Sequence, residues 1–101
     1  MTCSLIDLWA MIRDPNGGRN YTGFETPTIQ DLERIEAGNF VSISCDINKL
    51  FVRITENEPC NFLLTGIIVL GDVENTQYEI GDSIQFLYKN VYAISEDLES
   101  L

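Results

Sequence analysis

The sequence predicts an α+β domain: one or two short N-terminal helices packed on a small antiparallel sheet of four to five strands, strongly bent or closed into a barrel. Three observations carry this. Apolar residues recur at helical spacing before residue 38, then switch to a period of two from Val41 onward. Gly, Asn, Asp and Pro punctuate the second part at short intervals, as turns between short strands do. Helical signals come first and strand signals after, without the alternation a parallel sheet needs. With 101 residues the chain has room for one core. The expected domain is 1–101, with a helical part at 1–38, the sheet at 39–95 and an acidic tail at 96–101.

Leu5, Leu8, Trp9 and Ile12 space a first helix, with Ser4 as its cap and Asp7 three residues on. A strand through 5–11 is the alternative. Pro15-Asn16-Gly17-Gly18 stops either one and opens an exposed loop over 15–25. A second helix starts at Thr26-Pro27-Thr28, capped by Thr26 or by a Thr28–Asp31 box. It carries Ile29, Leu32 and Ile35 on one stripe and ends by Gly38. Val41, Ile43 and Cys45 alternate with serines in the first strand, and a turn at 46–49 leads into a second at 50–55. A longer strand over 61–70 is interrupted by Gly66, where a bend or bulge fits a curled sheet. A brief strand at 76–80 follows, and Gly81-Asp82 turns the chain, with the Asp82 carboxylate capping that turn. The segment 83–93 puts Ile84, Phe86 and Tyr88 on one face, and 91–94 continues the sheet.

Composition excludes several chemistries. The chain has no histidine, so no Ser-His-Asp triad, Cys-His pair or imidazole metal ligand. Cys3, Cys45 and Cys60 contain no C-x2-C pair, which argues against zinc. No N-terminal signal for export is read, so the expectation is a cytoplasmic protein with reduced thiols; a Cys45–Cys60 bridge stays open. The longest apolar run, 67–70, is far short of the roughly 20 residues of a membrane span. The basic side chains, Arg13, Arg19, Arg34, Lys49, Arg53 and Lys89, are scattered singly, which disfavours direct nucleic-acid binding.

Phe24-Glu25-Thr26-Pro27, then 35–41, Leu50-Phe51-Val52-Arg53-Ile54-Thr55, Thr65-Gly66-Ile67-Ile68, Gly81-Asp82-Ser83-Ile84-Gln85-Phe86 and Asn90-Val91-Tyr92-Ala93-Ile94 follow one another in order. This order resembles a group of small bacterial and phage domains of unknown function, over about residues 24–94. The resemblance implies a compact, SH3-like curled sheet and no established activity. Phe51 stands at the group's usual tryptophan position, and Val69-Leu70-Gly71 replaces an Asn-containing segment.

The functional expectation is a non-catalytic protein-interaction module without cofactor or metal. The formal charge is -10, and from Glu56 onward nine acids stand against Lys89 alone, so a basic protein partner is expected. The candidate contact residues are Trp9, Glu56, Glu58, Asp72, Glu74, Glu79 and Asp82. One alternative is an acidic nucleic-acid mimic, which needs those carboxylates spaced like phosphates along one face. Another is a small-ligand-binding barrel, whose mouth would draw on Trp9, Tyr21, Phe24, Phe51, Tyr78, Phe86, Tyr88 and Tyr92. A homodimer of two-fold symmetry through exposed apolar surface is a further expectation. Catalysis is not expected: no carboxylate sits in an apolar context that would raise its pKa, and Cys60 has no flanking cation to activate it.

Overall fold

The computed structural model describes residues 4–8, 27–46, 48–74 and 76–100. Five antiparallel strands make one sheet: β1 (Phe40–Cys45), β2 (Asn48–Glu58), β3 (Leu63–Gly71), β4 (Ser83–Leu87) and β5 (Val91–Ser95). Their order across the sheet is β4-β3-β2-β1-β5, so the last two strands in sequence occupy opposite edges. Only the 3-10 turn Tyr88–Asn90 joins them. A flat sheet would put those edges about 19 Å apart, four strand spacings. Four Cα steps wound as a 3-10 turn cover only about 8 Å. The sheet therefore has to curl, as expected, but β4 and β5 do not pair and it does not close into a barrel.

The curl is built from irregularities in the ladders. The β2–β3 register skips Thr55 opposite the step from Gly66 to Thr65, and skips Val69 opposite the step from Phe51 to Val52. Each extra residue adds local twist. Gly66 lies where β3 presses on β2: a Cβ there would stand 2.5 Å from both the Arg53 carbonyl oxygen and Val52 Cγ1. The bulge at Thr55 also lets β2 run on to Glu58, beyond the end expected near Thr55.

The molecule is mostly β. The α-helix that lies wholly within the described residues is α1 (Ile29–Glu33), a helix of five residues. Of the two caps open for it, the Thr28–Asp31 box forms: Asp31 N–H donates to Thr28 Oγ1 and Thr28 N–H to Asp31 Oδ2. The helix ends well before Gly38, because Arg34 and Ile35 already leave the spiral and Ile35 drops into the core. The first expected helix is extended at its start, through Leu5 and Ile6, and Leu8 is helical. Leu5 bridges Cys45, Ile6 N–H donates to the Ser44 carbonyl, and Asp46 N–H donates to the Ser4 carbonyl. The reason is an open lane: β5 pairs with β1 only from Phe40 to Ile43, and the residues after that need partners. The rest of that helix, from Trp9, and the loop at 15–25 lie outside the described residues. No strand forms over 76–80. There the Thr76 hydroxyl donates to the Val73 carbonyl and accepts from Tyr78 N–H, a local turn that displaces the ladder. Nor is 83–93 one strand, since the Tyr88–Asn90 corner divides it.

The core is formed by the inner face of the sheet with Leu32 and Ile35, and Tyr88 is its largest fully buried side chain. Its hydroxyl donates to Asn57 Oδ1 at 2.6 Å. Asn57 Nδ2 in turn donates to the Leu32 carbonyl at 2.9 Å and the Ile35 carbonyl at 3.0 Å, at the C-terminal end of α1. Burial raises the Tyr88 pKa above the ordinary tyrosine value, against the lowering effect of the Asn57 bond.

Two stability predictions follow from this packing. Asn57→Ala strips partners from Tyr88 and from α1 together, and is expected to cost about 2–4 kcal/mol, whereas Tyr88→Phe should cost about 1–2 kcal/mol. Urea unfolding midpoints read both, and equal losses would show that Asn57 does not link the two. Gly66→Ala should cost about 2–4 kcal/mol from the forced separation of β2 and β3. A neutral result in the same assay would mean that the ladder yields at no cost.

Candidate functional site

The outer edge of β5 and α1 face each other across an open groove of about 590 Å³. Pro27, Asp31, Arg34 and Ile35 form one wall, Asn39 the floor at one end, and Tyr92, Ala93, Ile94, Ser95 and Glu96 the other wall. Local hydrogen bonds fix both walls. The helix wall is held by the Asn57 amide below and the Thr28–Asp31 cap above. Asn39 accepts from Glu36 N–H at 2.8 Å through its side chain, and Gly38, at φ 99°, donates its N–H to Ile54, tying the end of the helix to β2. The strand wall is tied to β1 through the pairs Phe40↔Ser95, Val41↔Ile94 and Ser42↔Ala93.

The groove mixes apolar side chains, Pro27, Ile35, Ala93 and Ile94, with polar and charged ones. Asp31 is held below the usual carboxylate range, first by the Thr28 backbone N–H, then by the Thr28 side chain, with a smaller contribution from Arg34. It is therefore ionised at neutral pH and acts as a cap, not as a proton donor. Arg34 is the one cation in the lining, against the carboxylates of Asp31 and Glu96. Such a lining can hold a peptide backbone and select charge on its side chains.

The residues singled out from sequence lie elsewhere. Trp9 is outside the described residues. Glu56 and Glu58 sit towards the C-terminal end of β2, while Asp72 and Glu74 follow the far end of β3, where Asp72 N–H donates to the Lys49 carbonyl. From the Leu50↔Gly71 pair to the Glu56↔Thr65 pair is six residues of strand, about 20 Å. Glu79 and Asp82 share a turn beside β3, in which Glu79 N–H donates to Asp82 Oδ2 at 2.9 Å, so Asp82 caps its turn as expected. Glu56 and Glu58 thus lie at one end of β2, the other four described acids lie on the connection from β3 to β4, and none of the six lines the groove between α1 and β5. The aromatic residues are dispersed too. Phe86 and Tyr88 are core, Tyr78 packs against it, and Lys49 lies over the Phe51 and Tyr92 rings. Tyr21 and Phe24 are outside the described residues.

Among the described residues no cluster of acids and cysteines is arranged to hold a metal ion, and no helix is long and apolar enough to cross a membrane. Cys60 is free and exposed, whereas Cys45 is disulfide-bonded in the core. A Cys45–Cys60 bridge does not form, and the expectation of reduced thiols fails at Cys45. No family model, curated protein or solved structure matches the chain.

Sequence reasoning named Asp31 and Arg34 without seeing a site in them. The Thr28–Asp31 spacing marked the cap, but nothing local marks β5 as an edge, since that depends on where the sheet places its last strand. The cap generates its own prediction. Because the folded-state pKa of Asp31 lies below its ordinary value, its contribution is complete above about pH 4 and disappears as pH falls further. In Asp31→Asn this acid-dependent part should vanish, read by the Thr28 amide shift in an NMR titration; an unchanged titration would place the effect on another carboxylate.

Proposed function

We propose that the chain is a non-catalytic protein-interaction module for a basic partner. The observation that supports this best is the groove between α1 and β5: an open cleft along the edge of a sheet, lined by apolar side chains together with Asp31, Arg34 and Glu96. Pockets that bind combine an apolar lining with a few fixed polar groups. The charge around it agrees in sign. Glu33 and Glu36 stand on or just after α1, and Glu96, Asp97 and Glu99 follow β5 without an intervening cation. A chain of formal charge -10 attracts cationic partners over a distance and repels its own copies. With this reading goes the resemblance to SH3-like domains of unknown function, supported by the curled sheet.

A random peptide array tests the reading. The chain is expected to retain Lys- and Arg-rich peptides over Asp- and Glu-rich ones, and to lose about tenfold in affinity when salt is raised from roughly 0.05 to 0.2 M. Binding without charge preference, or insensitive to salt, would overturn it.

A further inference from the structure

The strand wall of the groove carries a binding element that side-chain chemistry alone does not reveal. In an antiparallel ladder the N–H and C=O of successive residues point alternately to one neighbour and the other. Along β1 this alternation can be read directly. Ile54 N–H donates to the Asn39 carbonyl at 2.8 Å, so the odd-numbered residues of β1 address β2. The Ser44 carbonyl accepts from Ile6 N–H on the opposite side, so the even-numbered residues address the lane of β5. Phe40 and Ser42 therefore exchange hydrogen bonds with Ser95 and Ala93, and Val41 does not do so with Ile94. The Ile94 N–H and C=O point away from the sheet, into the groove that Ile94 lines, and have no partner among the described residues. Its side chain packs against the core, which holds this backbone in place.

We propose that a basic, extended segment of a partner protein adds to β5 as a further strand, exchanging both hydrogen bonds with Ile94 while its cationic side chains meet Asp31 and Glu96. This rests on the binding reading above and names the conformation of the partner. Strand addition draws affinity from main-chain bonds and specificity from alternate side chains. The groove supplies both: a pair of ladder groups with no partner among the described residues in one wall, and charge from α1 in the other. Charge also decides against a second copy as the occupant. Pairing two β5 edges would bring the Glu96, Asp97 and Glu99 segments of two chains, each of formal charge -10, into one interface.

The test uses the full chain, ¹⁵N-labelled, with the peptide Lys-Val-Lys-Val-Lys-Val-Lys as probe and its Glu-for-Lys counterpart as control. The Ile94 amide should exchange freely in the unbound chain and be slowed about tenfold or more by the basic peptide alone. The Ala93 and Ser95 amides, already in the β1 ladder, should be slow throughout. Ile94→Pro removes the outward N–H along with part of the side-chain packing on the core, and should weaken the peptide about tenfold while Ala93 and Ser95 stay protected. Glu96→Lys, at an exposed position, should weaken it similarly and keeps the test open if the proline variant fails to fold. Peptide binding that leaves the Ile94 amide exposed would overturn strand addition and leave the binding reading standing. Failure of the basic peptide and of the array together would overturn both. An Ile94 amide already protected in the free chain, as monomer or as dimer, would show the edge to be occupied and would also overturn the inference.

Discussion

The structure depends on a corner of three residues. Tyr88, Lys89 and Asn90 are all that separates β4 from β5, yet those strands lie on opposite edges of the sheet. A short connection between distant edges is compatible only with a curled sheet, so this corner sets the curvature that the bulges at Thr55 and Val69 accommodate. Each of its residues is anchored in a different direction. Tyr88 turns inward, donates its N–H to the Phe62 carbonyl and its hydroxyl to Asn57, and packs its ring 5.6 Å from that of Phe62. Asn90 accepts from Leu87 N–H and donates to the Ile6 carbonyl. Lys89 pairs with Asp7 at 3.3 Å, an exposed ion pair that contributes little by itself. Through Asn57 the same corner reaches the end of α1, so helix, sheet edge and N-terminal segment converge on it.

That convergence explains which parts of the fold were legible in the sequence. The period-two runs of β1, β2 and β3 were readable because each has one buried face, and so was the Thr28–Asp31 box, whose two partners lie three residues apart. The missed features depend on distant residues. Ser4 to Ile6 carry a helical pattern, but Ser44 and Asp46 offer unpaired backbone groups in an open lane, and the ladder prevails. Thr76 to Ile80 read as a strand from composition, but the Thr76 hydroxyl satisfies the backbone locally and no neighbouring strand competes for it. The break at Tyr88 was hidden because Ile84, Phe86 and Tyr88 keep strand spacing through it, and all three are buried.

The candidate site was less legible for the same reason. Acidic residues can be counted in a sequence, but their grouping depends on which strand ends the topology brings together. Here β2 and β3 carry two pairs of acids to opposite ends of one ribbon, and Glu79 and Asp82 are engaged in closing a turn. The groove draws instead on Asp31, Arg34 and Glu96, which come from separate elements and are adjacent only because β5 crosses to the far edge.

An exposed sheet edge is a hazard, and proteins blunt it by keeping it short, bulged or charged. β5 has all three features. It is five residues long, its register with β1 is broken between Ser42 and Ile43, and Glu96 and Asp97 follow it directly. The bulge and the shortness limit how long a stretch any added strand can pair with, whatever its charge. The acids discriminate: they oppose another acidic chain, this one included, and favour a cationic one. On the proposed reading, the same carboxylates that oppose pairing with another acidic chain select the class of segment that could add to the edge. On that reading, charge counted over the whole sequence bears on the sign of a partner, while only the ladder alternation along β1 bears on where it would bind.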